Sequence, residues 1–295
     1  MASGTRQLKG TNFTSVIHDK PYETISLARP ELSQKGRTVL VTGGAINIGF
    51  SIARSFVRAG AESVIIIGRR QDALDDAALK LEKEGSSKIL TFSCDQADTR
   101  SVQTMWTQLA QQNILVDVLV LNAADFIEEK PILELGRGRL WEAYVTNVRG
   151  LLDMAIVNVS TNAINGLYEH QLKVSADRPA YGLTKNAGNM LLSQIAKDTD
   201  PLWLQIVNFH PGLLYNDQWK NMGYEEKDPL FDDANLPGCF AVWASTKEAA
   251  FLHGRFVWAS WNIDEYSSGS VRKRIDEDPS YLTVGVVGLD GAFKL

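Results

Sequence analysis

Tyr181 and Lys185 stand four residues apart in Tyr-Gly-Leu-Thr-Lys. On a helix that spacing sets a phenol and an ammonium on one face, about one 5.4 Å turn apart. A cation close to a phenol favours the phenolate and lowers its pKa from a reference of about 10. A tyrosine tuned in this way can act as a general acid and base near neutral pH. The same pair is common on solvated helix faces, so its meaning rests on the elements around it.

Those elements alternate. Arg37 to Val41 predicts a strand, Ile48 to Ala59 a helix, Ser63 to Ile67 a strand and Asp72 to Glu84 a helix. Lys88 to Phe92, Asp98 to Gln112 and Val116 to Leu121 continue as strand, helix and strand. Further on, Leu140 to Met154 predicts a helix, Ala155 to Val159 a strand, Ala180 to Lys197 a long helix and Leu204 to Asn208 a strand. Ala241 to His253 predicts a helix and Tyr281 to Val287 a last strand. The pattern predicts an α/β, doubly wound, seven-stranded parallel sheet in one domain over residues 36–295. Residues 1–35 read as an irregular leader on its surface, and residues 213–238 as a substrate loop.

Thr42-Gly-Gly-Ala-Ile-Asn-Ile-Gly49 joins the first strand to the first helix. A glycine turn so placed lets backbone N–H groups and the helix N-terminus approach a pyrophosphate. The second strand ends in Gly68-Arg69-Arg70, where a carboxylate would hold a ribose 2′-hydroxyl. A guanidinium suits a 2′-phosphate instead, through charge-assisted bonds. The expected cofactor is therefore NADP(H) rather than NAD(H), with Arg69 as the main contact.

Together these residues resemble the short-chain dehydrogenase/reductase family, from about Thr38 to the C-terminus. Its TGxxxGxG motif is matched by Thr42, Gly43 and Gly49, with Asn47 in place of the middle glycine, and the cofactor is expected to meet Thr42, Gly43, Asn47, Ile48 and Gly49. Asparagine tolerates left-handed backbone better than other non-glycine residues, so the turn is expected to form. The resemblance implies a Rossmann-type fold, an adenine contact from Asp95, and a cofactor-binding Asn122 in Leu121-Asn-Ala-Ala124, the family's NNAG motif with its final glycine replaced. It also implies a catalytic Asn147, a catalytic hydroxyl from Thr161 or its neighbour Ser160, and Pro211-Gly212 flanking the nicotinamide. Asn216 stands where a threonine is expected. His210 has no family role and reads as a packed residue. The leader and Leu236 to Ser245 further resemble a fungal group of these enzymes.

Two spacings depart from that family. Between Asn147 and Ser160 about a dozen or more residues are missing, and Gly150 to Ala155 runs almost straight into the next strand. The helix from Leu140 to Met154, roughly 22 Å long at 1.5 Å per residue, must return the chain to the sheet with no turn to spare. It is expected to be bent, unwound or shortened, or else the transcript has lost a segment. The family's usual dimer face lies on that helix, which puts a homo-oligomer in doubt. Between Thr161 and Tyr181 the chain is several residues longer, which reads as a loop bearing Tyr168 and His170.

The chain has 295 residues, 44% hydrophobic and 22% charged, with a net charge of -5. This points away from nucleic acid and anionic membrane as the main partner, and the resemblance implies a small-molecule substrate. Trp219, Tyr215, Phe240 and Trp243 point to an apolar or aromatic one. Two cysteines, Cys94 and Cys239, give no metal spacing and no disulfide framework. They fit a reducing, cytoplasmic setting. No run is long enough to cross a membrane. The expected function is an NADP(H)-dependent oxidoreductase acting on an alcohol/carbonyl pair. The alternatives are a non-catalytic NADP(H)-binding protein of the same fold, or an isomerase or dehydratase.

Overall fold

A computed structural model describes residues 13–153, 157–160 and 178–285. Strands β1 (Thr38–Thr42), β2 (Ser63–Gly68) and β3 (Lys88–Ser93) are followed by β4 (Val118–Leu121), β5 (Val157–Val159), β6 (Val207–His210) and β7 (Phe256–Trp258). They form one parallel sheet in the order β3-β2-β1-β4-β5-β6-β7. The sequence order reverses between β1 and β4, which opens a crevice at the carboxyl ends of those strands. The first two strands are apolar on both faces because helices cover both sides.

On one side, helix α1 (Asn47–Arg58) packs Ile52, Phe56 and Val57 beneath β1 and β2. On the other, α3 (Thr99–Gln111) and the long helix Pro179–Lys197 bring Met105, Leu109, Leu192 and Ala196 against Leu40, Ile65 and Leu119. Helix α2 (Gln71–Leu81) covers β2 and β3 with Leu74 and Leu81. Asp98 caps α3 by accepting from the Arg100 N–H.

Four expectations are corrected. Among the described residues the last strand is Phe256–Trp258, and where a strand is expected from Tyr281, Tyr281 to Thr283 form a turn, whose Leu282 carbonyl accepts from the Phe256 N–H at 2.8 Å. The helix expected from Ala241 to His253 is Leu236–Ala244, followed by a 3-10 turn, Lys247–Leu252. Every residue of Leu236–Ala244 is buried, so it is apolar all round and shows no amphipathic period. This takes the end of the expected substrate loop into the core, with Phe240 and Trp243 among the fully buried side chains. The strand expected at Leu204 to Asn208 starts later, at Val207. The described part of the leader, from residue 13, does more than lie on the surface: Ile25 and Leu32 are fully buried in the core, and Ile17 bridges to Trp261.

The helix after β4 is continuous. It runs as α-helix over Arg137–Tyr144, as π-helix over Val145–Arg149, and again as α-helix over Gly150–Leu152. It is thus rewound rather than broken, with Asn147 at the wide turn. Such π segments gather at functional sites.

Candidate active site

The turn after β1 has the backbone that its sequence asks for. Gly43 has φ of 64° and Asn47 φ of 49°, both left-handed. A Cβ at Gly49 would fall on the Gly43 carbonyl oxygen and lie 2.5 Å from Asn122 Nδ2. Close packing, not freedom of φ, therefore requires glycine at position 49. Asn122 leaves β4 and locks this turn: its Nδ2 donates to the Thr42 carbonyl at 2.9 Å, while Thr42 Oγ1 accepts from the Asn122 and Ala123 N–H groups at 3.0 and 2.9 Å. No side chain caps the first turn of α1 at Ile46. The N–H groups around Asn47, Ile48 and Gly49 thus have no side-chain acceptor and can meet an anion.

Arg69 and Arg70 follow β2 and are exposed. Asp95 follows β3 and accepts from the Ala97 N–H at 2.9 Å. Pro211 and Gly212 follow β6. Gly212 has φ of 96°, and Asp232 braces the turn by accepting from the Leu213 N–H at 2.6 Å. These positions share the carboxyl edge of the sheet.

Asn147 is buried and fully engaged. Its Oδ1 accepts from the Asp125 N–H at 2.7 Å, and its Nδ2 donates to the Asp125 carbonyl and to Thr184 Oγ1, both at 3.0 Å. Thr184 Oγ1 in turn donates to the Tyr181 carbonyl at 3.0 Å. The π turn thus fastens the loop after β4 to the helix that carries Tyr181. The Gln96 side chain supports this from the other side, donating to the carbonyls of Ala123 and Thr146 at 2.9 and 3.1 Å.

Lys185 is buried, and its Nζ donates to the Val159 carbonyl at 2.8 Å. Ser160, next along the chain, is buried, and its hydroxyl has no partner among the described residues. Thr161, Tyr168 and His170 lie outside the described residues. Burial brings the Lys185 ammonium down to about 8. Burial likewise pushes the Tyr181 phenol up to about 12, and the cation that opposes it is Arg178 rather than Lys185. Lys185 is thus seated on the β5 backbone, one turn beyond Tyr181 on the same helix.

Phe126, on the loop after β4, meets Tyr181 edge-on at 4.9 Å. Its ring is 47% exposed, so an open apolar face borders the phenol. His210 ends β6, buried edge-on against Trp258 at 4.6 Å, as a packed histidine should be. Asn216 Oδ1 accepts from the Trp219 N–H at 3.3 Å, at the start of the short helix Asp217–Asn221. Tyr215, Trp219 and Tyr224 gather around Phe231 at 5.3 to 6.1 Å. Of these site groups, Thr184, Gln96, Asp125 and Phe126 were not foreseen. Only Thr184 left a sequence signal, lying three residues after Tyr181 on the same helix.

The short chain dehydrogenase family profile matches residues 37–227. The short chain dehydrogenase/reductase nsrO of Aspergillus novofumigatus is 29% identical, over 93% of this chain and 96% of its own. AacuD of Aspergillus aculeatus, another short chain dehydrogenase/reductase, is 28% identical over the same shares of the two chains. Among solved structures, L-sorbose reductase from Gluconobacter frateurii, complexed with NADPH and L-sorbose, superposes with a TM-score of 0.68 at 18% identity. That match covers 77% of this chain and 96% of the other. A crevice at the sheet switch point, a glycine turn at the mouth of α1 and a family profile spanning both lead to one statement: the chain belongs to the short-chain dehydrogenase family of oxidoreductases.

Proposed function

We propose that the protein is an NADP(H)-dependent oxidoreductase that interconverts an alcohol and a carbonyl, with Tyr181 as general acid and base. The observation that carries this reading is the uncapped first turn of α1 beside left-handed Gly43 and Asn47, on the same sheet edge as Lys185 and Ser160. Backbone N–H groups at Asn47, Ile48 and Gly49 suit a pyrophosphate. Exposed Arg69 suits a 2′-phosphate. L-sorbose reductase with NADPH and an Agrobacterium tumefaciens 3-oxoacyl reductase with NADP show that chains of this fold hold that cofactor. When bound, the nicotinamide supplies the hydride chemistry.

The chain's own part is to orient the substrate and move one proton. Tyr181 gives its phenolic proton to the carbonyl oxygen in reduction and takes it from the hydroxyl in oxidation. Ser160, or Thr161, donates a hydrogen bond to the same oxygen. Lys185 holds its amine against β5 and, by family resemblance, faces the nicotinamide ribose. Asn147 fixes the geometry between the loop after β4 and the Tyr181 helix. By the same resemblance Asp95 meets the adenine, and Pro211 and Gly212 flank the nicotinamide. The half-exposed Phe126 ring favours an apolar or aromatic substrate. No helix among the described residues is long and apolar enough to cross a membrane, and the buried, unpaired Cys94 and Cys239 fit the cytoplasm proposed for the enzyme.

The test is Tyr181→Phe, assayed by NADPH oxidation against a panel of ketones beside the cofactor-induced rise in Tm. Lost turnover with an intact rise in Tm supports the assignment, and retained turnover rejects it. The high-lying phenol favours a second reading, a protein that binds NADP(H) without turnover. A rise in Tm with no activity in the wild-type chain across the whole panel would support it.

A further inference from the structure

Arg178 immediately precedes the Tyr181 helix and lies three residues ahead of Tyr181. It is only 7% exposed. Its guanidinium sits over the Phe126 ring, 4.2 Å from the centroid, and that ring meets Tyr181 edge-on at 4.9 Å and 74°. Its Nη1 donates to the Ile127 carbonyl, and its Nη2 donates to Glu129 Oε1 at 2.7 Å. One side chain therefore ties the loop after β4 to the start of the catalytic helix and clamps the ring that contacts the phenol.

We propose that Arg178 is a positioning residue for Tyr181, fixing the phenol through Phe126 and setting the charge felt by it. The inference rests on the reading of Tyr181 as the acid/base group. Planarity matters, because a guanidinium can lie flat on a ring and donate from its edge at the same time, whereas an ammonium cannot. Among the described residues, the following charged groups stand on the elements around the phenol. Arg178 and Lys185 belong to its own helix and its entry. Asp125 and Glu128 on the loop after β4 are both bound to Arg139 of the Asn147 helix, and Glu129 is bound to Arg178. Lys185 is turned to Val159, and His210 at the end of β6 is packed on Trp258. Arg178 is the one of these whose field lowers the Tyr181 pKa against burial.

The experiment uses the full chain saturated with NADPH and compares wild type with Arg178→Gln, Arg178→Lys and Glu129→Gln. Two readouts follow the phenol. One is the alkaline limb of kcat/KM against pH, with a ketone that the wild type reduces. The other needs no substrate: the tyrosinate absorbance difference between each protein and the same protein carrying Tyr181→Phe. Arg178→Gln should move the titration up by about 0.5 to 1 pH unit. Glu129→Gln removes the opposing carboxylate and should move it down. Arg178→Lys should leave the titration in place while lowering kcat, because the stack is lost and the charge is kept. A purely structural role lowers Tm and kcat without moving the titration, and a titration unmoved in both Arg178→Gln and Glu129→Gln overturns the proposal. Should Arg178→Gln fail to fold, Glu129→Gln decides alone, since its carboxylate is 48% exposed. Tyr181→Phe retaining turnover overturns the acid/base reading itself, whereas an inactive Tyr181→Phe with an unmoved titration removes only the role of Arg178.

Discussion

Lys185 offers a test that needs neither cofactor nor substrate. Its ammonium is buried against the Val159 carbonyl, and burial brings it from 10.5 down to about 8. The folded chain gives up this proton more readily than the unfolded chain. Below about pH 8 both states are protonated, and folding bears the full cost of burying a charge. Between about pH 8 and 10.5 the unfolded state holds more protons, so stability rises with pH. A displacement of about 2.5 units, at about 1.4 kcal/mol each, spans about 3 kcal/mol. Relative to pH 7, the gain is about 1 kcal/mol at pH 9 and about 2 to 3 kcal/mol at pH 10. Lys185→Met keeps the stem and removes the titrating group. Urea unfolding of both proteins without cofactor, from pH 7 to 10, should show the wild type gaining those amounts over the variant at constant m. Tyr181 runs the opposite way: its phenol is raised to about 12, so its contribution is present below about pH 10 and is lost above it. The window therefore closes at pH 10. Parallel curves for the two proteins across that window would refute the account of Lys185 as a buried amine.

Three further outcomes are expected. Gly49→Ala would drive a methyl into the Gly43 carbonyl; it should abolish the NADPH-induced rise in Tm and destabilise the chain by about 1 to 3 kcal/mol in urea. Arg69→Ala should weaken NADPH binding by about tenfold to a hundredfold while leaving NADH nearly unchanged, read by fluorescence titration of both cofactors. Gly238→Ala lies far from the chemistry, yet its methyl would fall on Ser55 Oγ and within 2.7 Å of the Ser51 carbonyl. It should lower stability by about 1 to 3 kcal/mol without changing KM in the ketone assay.

The sequence by itself determined the layers and the cofactor turn, because both follow local rules. β1 and β2 are short apolar runs, α1 and α3 carry a 3.6-residue period, and the left-handed turn asks for Gly43 and tolerates Asn47, which adopts φ of 49°. The spacing of Tyr181 and Lys185 was legible for the same reason. Their environment was not. Whether Lys185 faces the phenol or the Val159 carbonyl depends on where β5 lies against the helix, a contact between segments 26 residues apart. The rewinding of the helix at Asn147 follows from its bonds to Asp125 and Thr184, partners on two other elements. The fully buried helix Leu236–Ala244 and the three-residue β7 carried no readable period, since an element enclosed on all sides has no polar face to mark it. The leader's Ile25 and Leu32 look like loop residues until the core closes over them. Local spacing set which groups this chain could use; long-range packing of β5 against the helix decided that Lys185 meets the Val159 carbonyl.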